Sequence, residues 1–165
     1  MKSVFFVRHA KSSWENFNIP DHDRPLNKRG KKDALFMGHK MALLGWKPEI
    51  IISSTAKRAV KTTKKINKSL KINNINFTKD LYLASPSKII FILNSLKDEY
   101  QSAMIVAHNP AMTEIINYFS DEYIYNVPTC GIFKVDFDID KWEELSTYNG
   151  KLIKFIYPKM FTDEK

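Results

Sequence analysis

Apolar residues arrive along this chain in two rhythms. Val4-Phe5-Phe6-Val7, Ile50-Ile51-Ile52 and Ala103-Met104-Ile105-Val106 are short, unbroken apolar runs, the pattern of strands buried on both faces of a parallel sheet. Between them the period changes to that of a helix. Ala34, Met37, Met41 and Leu44 predict a helix from Gly30 to Leu44, stopped by Gly45 with Pro48 beyond. Ala56, Val60, Thr63, Ile66 and Leu70 predict a second, from about Ala56 to Leu70, capped by Ser54 or Thr55. Its outward positions are Lys57, Lys61, Lys64, Lys65 and Lys68. Ser85-Pro86-Ser87 opens a third helix running to about Tyr100, with Pro86 suited to a first turn. A fourth follows His108-Asn109-Pro110 and ends near Phe119. A weaker strand covers Asn76 to Leu83, and two more strand-like runs, Gly131 to Phe137 and Lys151 to Tyr157, close the chain. Strand and helix alternate, which predicts an α/β fold, a three-layer α/β/α sandwich with a mostly parallel central sheet.

Length and composition narrow this picture. The 165 residues fit a single domain, 1–165. No apolar run approaches the roughly 18 residues of a membrane span. The apolar stretch at the N-terminus is too short for a secretory signal, being interrupted at once by Arg8-His9. One cysteine, Cys130, excludes a disulfide framework and a Cys-rich zinc site. The expectation is a cytoplasmic, monomeric protein with no membrane partner.

Charge adds two observations. The formal net charge is +8, and Ile50 to Lys79 holds eight basic residues with no acidic one. Such a segment can steer an anionic partner, although a solvated helix face explains it equally well. No aromatic residue is interleaved among the lysines of 57–71, as a stacking surface for nucleic acid would require, so nucleic acid is not expected as a partner. The second observation concerns the kind of cation. Of 26 basic residues only four are arginine: Arg8, Arg24, Arg29 and Arg58. Arginine offers a planar fork that holds an anion's oxygens two at a time, which lysine cannot copy.

The scarce arginines and two histidines fall at strand ends. The first apolar strand ends at Arg8-His9, the second leads within a few residues to Arg58, and the third ends at His108. Ligand sites of parallel sheets gather at the carboxyl ends of strands. Two forks of positive charge suit a phosphoryl group, and an imidazole among them suits attack on phosphorus. Each residue alone is more simply a loop or surface group; their recurrence at three strand ends predicts an anion site.

Arg8-His9-Ala10, Ser53-Ser54-Thr55-Ala56-Lys57-Arg58-Ala59 and Ala107-His108-Asn109-Pro110 resemble, in order, the three signatures of the histidine phosphatase superfamily, which includes the phosphoglycerate mutases. Arg8 to Trp14, Asp21 to Gly30, and Leu81-Tyr82 with Ala84-Ser85 make the chain similar to the SixA-type phosphohistidine phosphatases, over about residues 3 to 157. The resemblance implies a phosphoglycerate mutase-like fold and a metal-independent phosphatase without cofactor. It implies His9 as nucleophile, forming a transient phosphohistidine, with Arg8 and Arg58 clamping the phosphoryl oxygens. It implies His108 stabilising the transferring group as imidazolium. Arg24 resembles a further phosphate-contacting arginine, with Ser12 and Asn109 as additional substrate-binding candidates.

The sequence departs from the superfamily pattern at Ala10 and Ala107, where glycine is usual, and at Glu15, where mutase-like members carry a phosphate-binding Asn. That speaks against a sugar-phosphate mutase. The proton donor stays open between Asp80, Asp21 and Asp23. A phosphohistidine substrate relaxes the need for one, because imidazole protonated on its far nitrogen leaves neutral. The partner implied is therefore a phosphohistidine-bearing protein domain. A small phosphorylated molecule, or phosphoprotein binding without catalysis, are the alternatives. His39, Trp46, Trp142 and Cys130 read as surface or packing residues, His22 lies beside the site loop, and Trp14 packs either over the phosphate loop or in the core.

Overall fold

Val4 to Val7 lie at the centre of a six-stranded sheet, with alternate side chains feeding two separate cores. The computed structural model describes residues 1–164. In chain order the strands are β1 (Lys2–Arg8), β2 (Ile50–Ser54), β3 (Ile75–Thr78), β4 (Ser102–Ala107), β5 (Ile132–Phe137) and β6 (Gly150–Ile156). The helices are α1 (Lys28–Leu43), α2 (Lys57–Leu70), α3 (Pro86–Asn94) and α4 (Ala111–Phe119). The sheet order is β3-β2-β4-β1-β5-β6. β1 to β4 run parallel, while β5 pairs antiparallel with both β1 and β6. Val4, Phe6, Ile50, Ile52 and Ile105 pack with α3 and α4, whereas Phe5, Val7, Ile51, Met104 and Val106 pack with α1 and α2. This is the three-layer α/β/α sandwich with a mostly parallel sheet that the pattern predicts. The unbroken apolar runs are the inner strands, because both of their faces are covered.

Where boundaries differ from the sequence expectation, polar side chains explain the shift. α1 starts at Lys28, before Gly30, because the Asn27 side chain accepts from the Gly30 N–H at 2.8 Å. Neither Ser54 nor Thr55 caps α2, whose cap is Ala56; their hydroxyls face His108 and His22 instead. β3 ends at Thr78 and a single 3-10 turn, Lys79–Leu81, replaces the rest of the expected strand. α3 stops at Asn94 instead of Tyr100. The carbonyls of Asp98 and Tyr100 accept from the buried Lys2 ammonium at 2.6 and 2.7 Å, and Tyr100 also accepts from the Trp142 indole. That geometry holds residues 98–100 as a turn against the start of β1.

The topology places three strand ends side by side. Arg8 pairs in register with Ala107, and the His9 N–H bonds to the Ala107 carbonyl at 3.1 Å, so His9 and His108 are neighbours. β2 flanks β4 on the other side, which delivers Ser54 and the first turn of α2. The loop leaving His9 is pinned by α1. A Cβ on Gly30 would lie 2.1 Å from the Lys11 carbonyl oxygen, so only glycine lets the first turn of α1 press on that backbone. Among the described residues no helix is long and apolar enough to cross a membrane.

Candidate active site

His9 is buried, and its Nδ1 lies 2.8 Å from the Ala10 carbonyl oxygen. A carbonyl only accepts, so Nδ1 carries the proton and Nε2 keeps its lone pair. The Arg58 Nε–H donates to that lone pair at 3.3 Å. Burial, and then the neighbouring His108, Arg58 and Arg8, push the His9 imidazole down to about 3 against the pull of the Ala10 carbonyl. It is therefore neutral at physiological pH, with a bare nitrogen facing a guanidinium.

Arg58 is the hub. It is buried on the inner face of α2, with Nη1 donating to the Asp21 carbonyl at 2.7 Å and Nη2 to Asp21 Oδ2 at 3.0 Å. Nη2 also lies 3.5 Å from His108 Nδ1. One turn further along α2, Thr62 Oγ1 donates to the Arg58 carbonyl and accepts from the Ala10 N–H. That single hydroxyl ties the helix bearing Arg58 to the loop bearing His9.

His108 places Nε2 2.8 Å from Ser54 Oγ, and its ring centroid lies 5.0 Å from that of His9. Burial, and then Arg58, lower it to about 4. The expected imidazolium is thus not the resting form. A buried imidazole beside a guanidinium stays neutral until an incoming dianion supplies opposite charge. Arg8 is half-buried, donating through Nη1 to the Val127 carbonyl at 2.9 Å, while its buried Nε has no partner among the described residues.

The remaining candidates divide. Arg24 is buried, donating to Asp21 Oδ1 through Nε and Nη2, to Ser12 Oγ at 3.3 Å and to the Ser13 carbonyl at 3.2 Å. The exposed Trp14 ring covers it, 3.3 Å from the guanidinium carbon. Arg24 thus joins the cluster through Asp21, and Ser12 holds Arg24. Asn109 is a brace: Oδ1 accepts from the Thr113 N–H at the start of α4, and Nδ2 donates to the Val127 carbonyl that Arg8 also uses. Both ends of its amide are engaged in positioning.

Of the three carboxylates, Asp21 alone enters the cluster. Asp80 is exposed and forms no hydrogen bond or ion pair with the other candidates through its carboxylate; Asp23 pairs with His22 at 3.5 Å. Tyr82 O–H donates to Asp21 Oδ2 in a short hydrogen bond. That bond, with Arg58 and Arg24, lowers the Asp21 carboxyl to about 2 despite the opposing effect of burial. Asp21 is therefore ionised in the resting site and holds no proton to donate. It stands instead as an internal anion on the two arginine forks. Asp21→Asn should retain kcat within about tenfold, where loss of a general acid would cost 10²–10⁴. It should also tighten inhibition by inorganic phosphate, which no longer competes with a carboxylate. A kcat loss beyond about a hundredfold would restore Asp21 as the acid.

Sequence reasoning did not assign Tyr82, Thr55 or Thr62 to the site. Tyr82 sits edge-on to His22 and His108, with ring centroids at 4.8 and 5.6 Å. Thr62 was legible in principle, since it lies four residues after Arg58 and shares its helix face. Among the described residues no group of three or more His, Cys, Asp or Glu is placed to hold a metal ion.

The protonation states are directly testable. The His9 and His108 ring protons should titrate by NMR with midpoints below about 5. Both folded values lie below the ordinary 6.5, so the unfolded chain takes up protons that the folded chain excludes. Thermal stability should hold above pH 7 and fall as pH drops from about 6.5 toward 4. A His9 midpoint near 6.5 would contradict the buried neutral imidazole.

The profile of the histidine phosphatase superfamily (branch 1) matches residues 4–82. Among solved structures, one from Agrobacterium tumefaciens provisionally assigned as a phosphohistidine phosphatase SixA is 28% identical with a TM-score of 0.82, covering 95% of this chain and 98% of that one. The protein histidine phosphatase SixA complexed with tungstate shares the fold at a TM-score of 0.82 and 20% identity, covering 97% and 99%. Uncharacterized protein ML1117 of Mycobacterium leprae is 28% identical over 165 residues, covering 93% of this chain and 100% of its own length. Over residues 4–82 the chain matches the histidine phosphatase superfamily, and over nearly its whole length it is similar in fold to the SixA structures.

Proposed function

We propose that this phosphatase removes phosphoryl groups from phosphohistidine on a protein, through a phosphohistidine formed at His9 Nε2. The observation that carries the reading is the pairing of a bare nucleophilic nitrogen with arginine forks and no protonated carboxyl beside it. An alkoxide leaving group needs a proton from a positioned acid, while an imidazole protonated on its far nitrogen departs neutral.

The steps follow from charge and geometry. The phosphoryl group displaces Asp21 from the forks and is held by Arg58, Arg8 and Arg24. The Arg58 Nε–H turns from His9 Nε2 to a phosphoryl oxygen, the freed lone pair forms a bond to phosphorus as the substrate's nitrogen–phosphorus bond breaks, and the departing imidazole keeps its electron pair. His108, neutral at rest, gains proton affinity from the incoming dianion, takes up a proton from solvent and then donates a hydrogen bond to a phosphoryl oxygen. Water next attacks phosphorus, His9 Nε2 leaves with its electron pair, and the water's proton passes to solvent. Positioning and charge stabilisation supply most of the acceleration in such transfers. Trp14 and Phe17, exposed on the loop that carries Asp21 and Arg24, give the mouth an apolar rim suited to a protein face.

The experiment is a comparison of substrates. Wild-type protein is given imidazole phosphate, a phosphohistidine-bearing domain and a panel of phosphomonoesters. The reading expects phosphoramidate turnover with the esters slow by orders of magnitude. Preferential turnover of one ester would replace it with a small-molecule phosphatase, and inactivity on everything with a phosphoprotein-binding module.

A further inference from the structure

The net positive charge of this protein sits in one layer. α1 and α2 carry eleven basic residues against a single carboxylate, Asp33, while the rest of the chain holds fifteen basic and seventeen acidic residues. Asp33 is buried and paired with Arg29. The two helices pack on the same side of the sheet. Their close approach is set by Gly38, where a Cβ would lie 2.5 Å from the Ile66 carbonyl oxygen. The packing brings lysines of one helix beside those of the other: Lys68, Lys61 and, from α1, Lys31 all depress the Lys65 ammonium below its ordinary value.

This arrangement works against local stability. α1 begins with Lys28, Arg29 and Lys31, and α2 with Lys57, and neither first turn holds an acidic residue. Cations there oppose the helix dipole, and the like charges repel along and between the helices. Both positive helix ends lie at the edge of the sheet where His9 and Arg58 sit, with Lys57 adjacent to Arg58 in sequence. The surface is also shaped at its α1 end. Arg29 and Lys159 together line two grooves there, of about 320 and 550 Å³.

We propose that the lysine-covered outer face of α1 and α2 is the docking surface for the protein substrate, recognising an acidic surface beside its phosphorylated residue. The proposal rests on the phosphohistidine reading above and names the partner's chemistry. A basic field continuous with the site raises the encounter rate with such a partner, and orients it so that its phosphoryl group arrives at the arginine forks. A small phosphoramidate gains nothing from the same face beyond general attraction.

The test uses the full chain with Lys31, Lys61 and Lys68 all changed to Glu, and a second variant with the same three changed to Gln. These lysines are exposed, and thermal melts verify folding. The probes are an acidic histidine phosphotransfer domain phosphorylated on its histidine, imidazole phosphate, and duplex DNA. At low salt the Glu variant should lose at least about tenfold in kcat/KM on the domain, mostly through KM, with the Gln variant between. Wild-type kcat/KM on the domain should fall steeply with added salt and the Glu variant's should not, while imidazole phosphate is turned over equally by all three. Equal kcat/KM on the domain with equal salt response would overturn the docking face. So would lysine-dependent retention of duplex DNA near physiological salt with no change on the domain. Absence of imidazole phosphate turnover by wild type would instead strike the substrate reading itself, which separates the two failures.

Discussion

Replacing His9 by alanine is expected to lower phosphoryl turnover by on the order of 10³-fold or more, with the fold intact. The size follows from what the residue supplies. Its Nε2 is an uncharged nitrogen held against Arg58 Nε, and its tautomer is fixed by the Ala10 carbonyl at 2.8 Å. Without it the arginines still gather a phosphoryl group, but the bond to phosphorus must be made by water directly. Binding should survive, and inorganic phosphate should inhibit or bind at least as tightly, because Arg58 Nε loses its imidazole partner and turns to the anion. Rapid quench under basic conditions with radiolabelled substrate should trap a phosphoenzyme on the wild type and none on His9→Ala. Stability should change by only a few degrees in melting temperature, since the β1 backbone that bears His9 is held by its neighbours on both sides. A variant retaining a tenth of wild-type activity would remove His9 from the nucleophile's role. The retained turnover would then have to come from direct attack of water on the bound phosphoryl group.

Much of this architecture was legible because two periodicities carry it. The inner strands are apolar on both faces, and the sequence shows them as unbroken runs; β1, β2 and β4 lie where those runs predict. The candidate site was legible for a related reason. Arg8-His9 and His108 stand at the ends of β1 and β4, and Arg58 lies four residues beyond β2, so knowing the strands nearly located the residues. Long-range polar contacts were not legible. α3 stops at Asn94 because Lys2, almost a hundred residues away, takes the carbonyls of Asp98 and Tyr100, and no local pattern announces that. Likewise Ser54 and Thr55 look like helix caps in sequence, yet their hydroxyls are committed to His108 and His22 across the site. Asp21 shows the limit most sharply. Sequence alone offered it as an acid beside two others, and only its placement on Arg58, Arg24 and Tyr82 shows that it is an anion at rest.

Arg58→Lys should be almost as damaging as Arg58→Ala, each losing on the order of 10²–10³ in kcat/KM. The argument is geometric. One planar group reaches His9 Nε2 at 3.3 Å, the Asp21 carbonyl at 2.7 Å and Asp21 Oδ2 at 3.0 Å. When a phosphoryl group replaces Asp21, the same fork presents its Nη donors to the phosphoryl oxygens while Nε releases the His9 Nε2 lone pair for attack. A lysine ammonium from the same backbone position offers one point charge on a flexible stem and cannot hold those partners together. The two variants should nevertheless part company in a second measurement. Arg58 lowers both His9 and His108 through its charge. Removing that charge in Arg58→Ala should raise both NMR midpoints toward 6.5, whereas Arg58→Lys keeps the cation and should leave them close to wild type. Lost activity with unmoved midpoints in the lysine variant would show that the fork, and not the charge, is what catalysis needs. A lysine variant within tenfold of wild type would mean that charge alone suffices, and the scarcity of arginine in this chain would lose its significance.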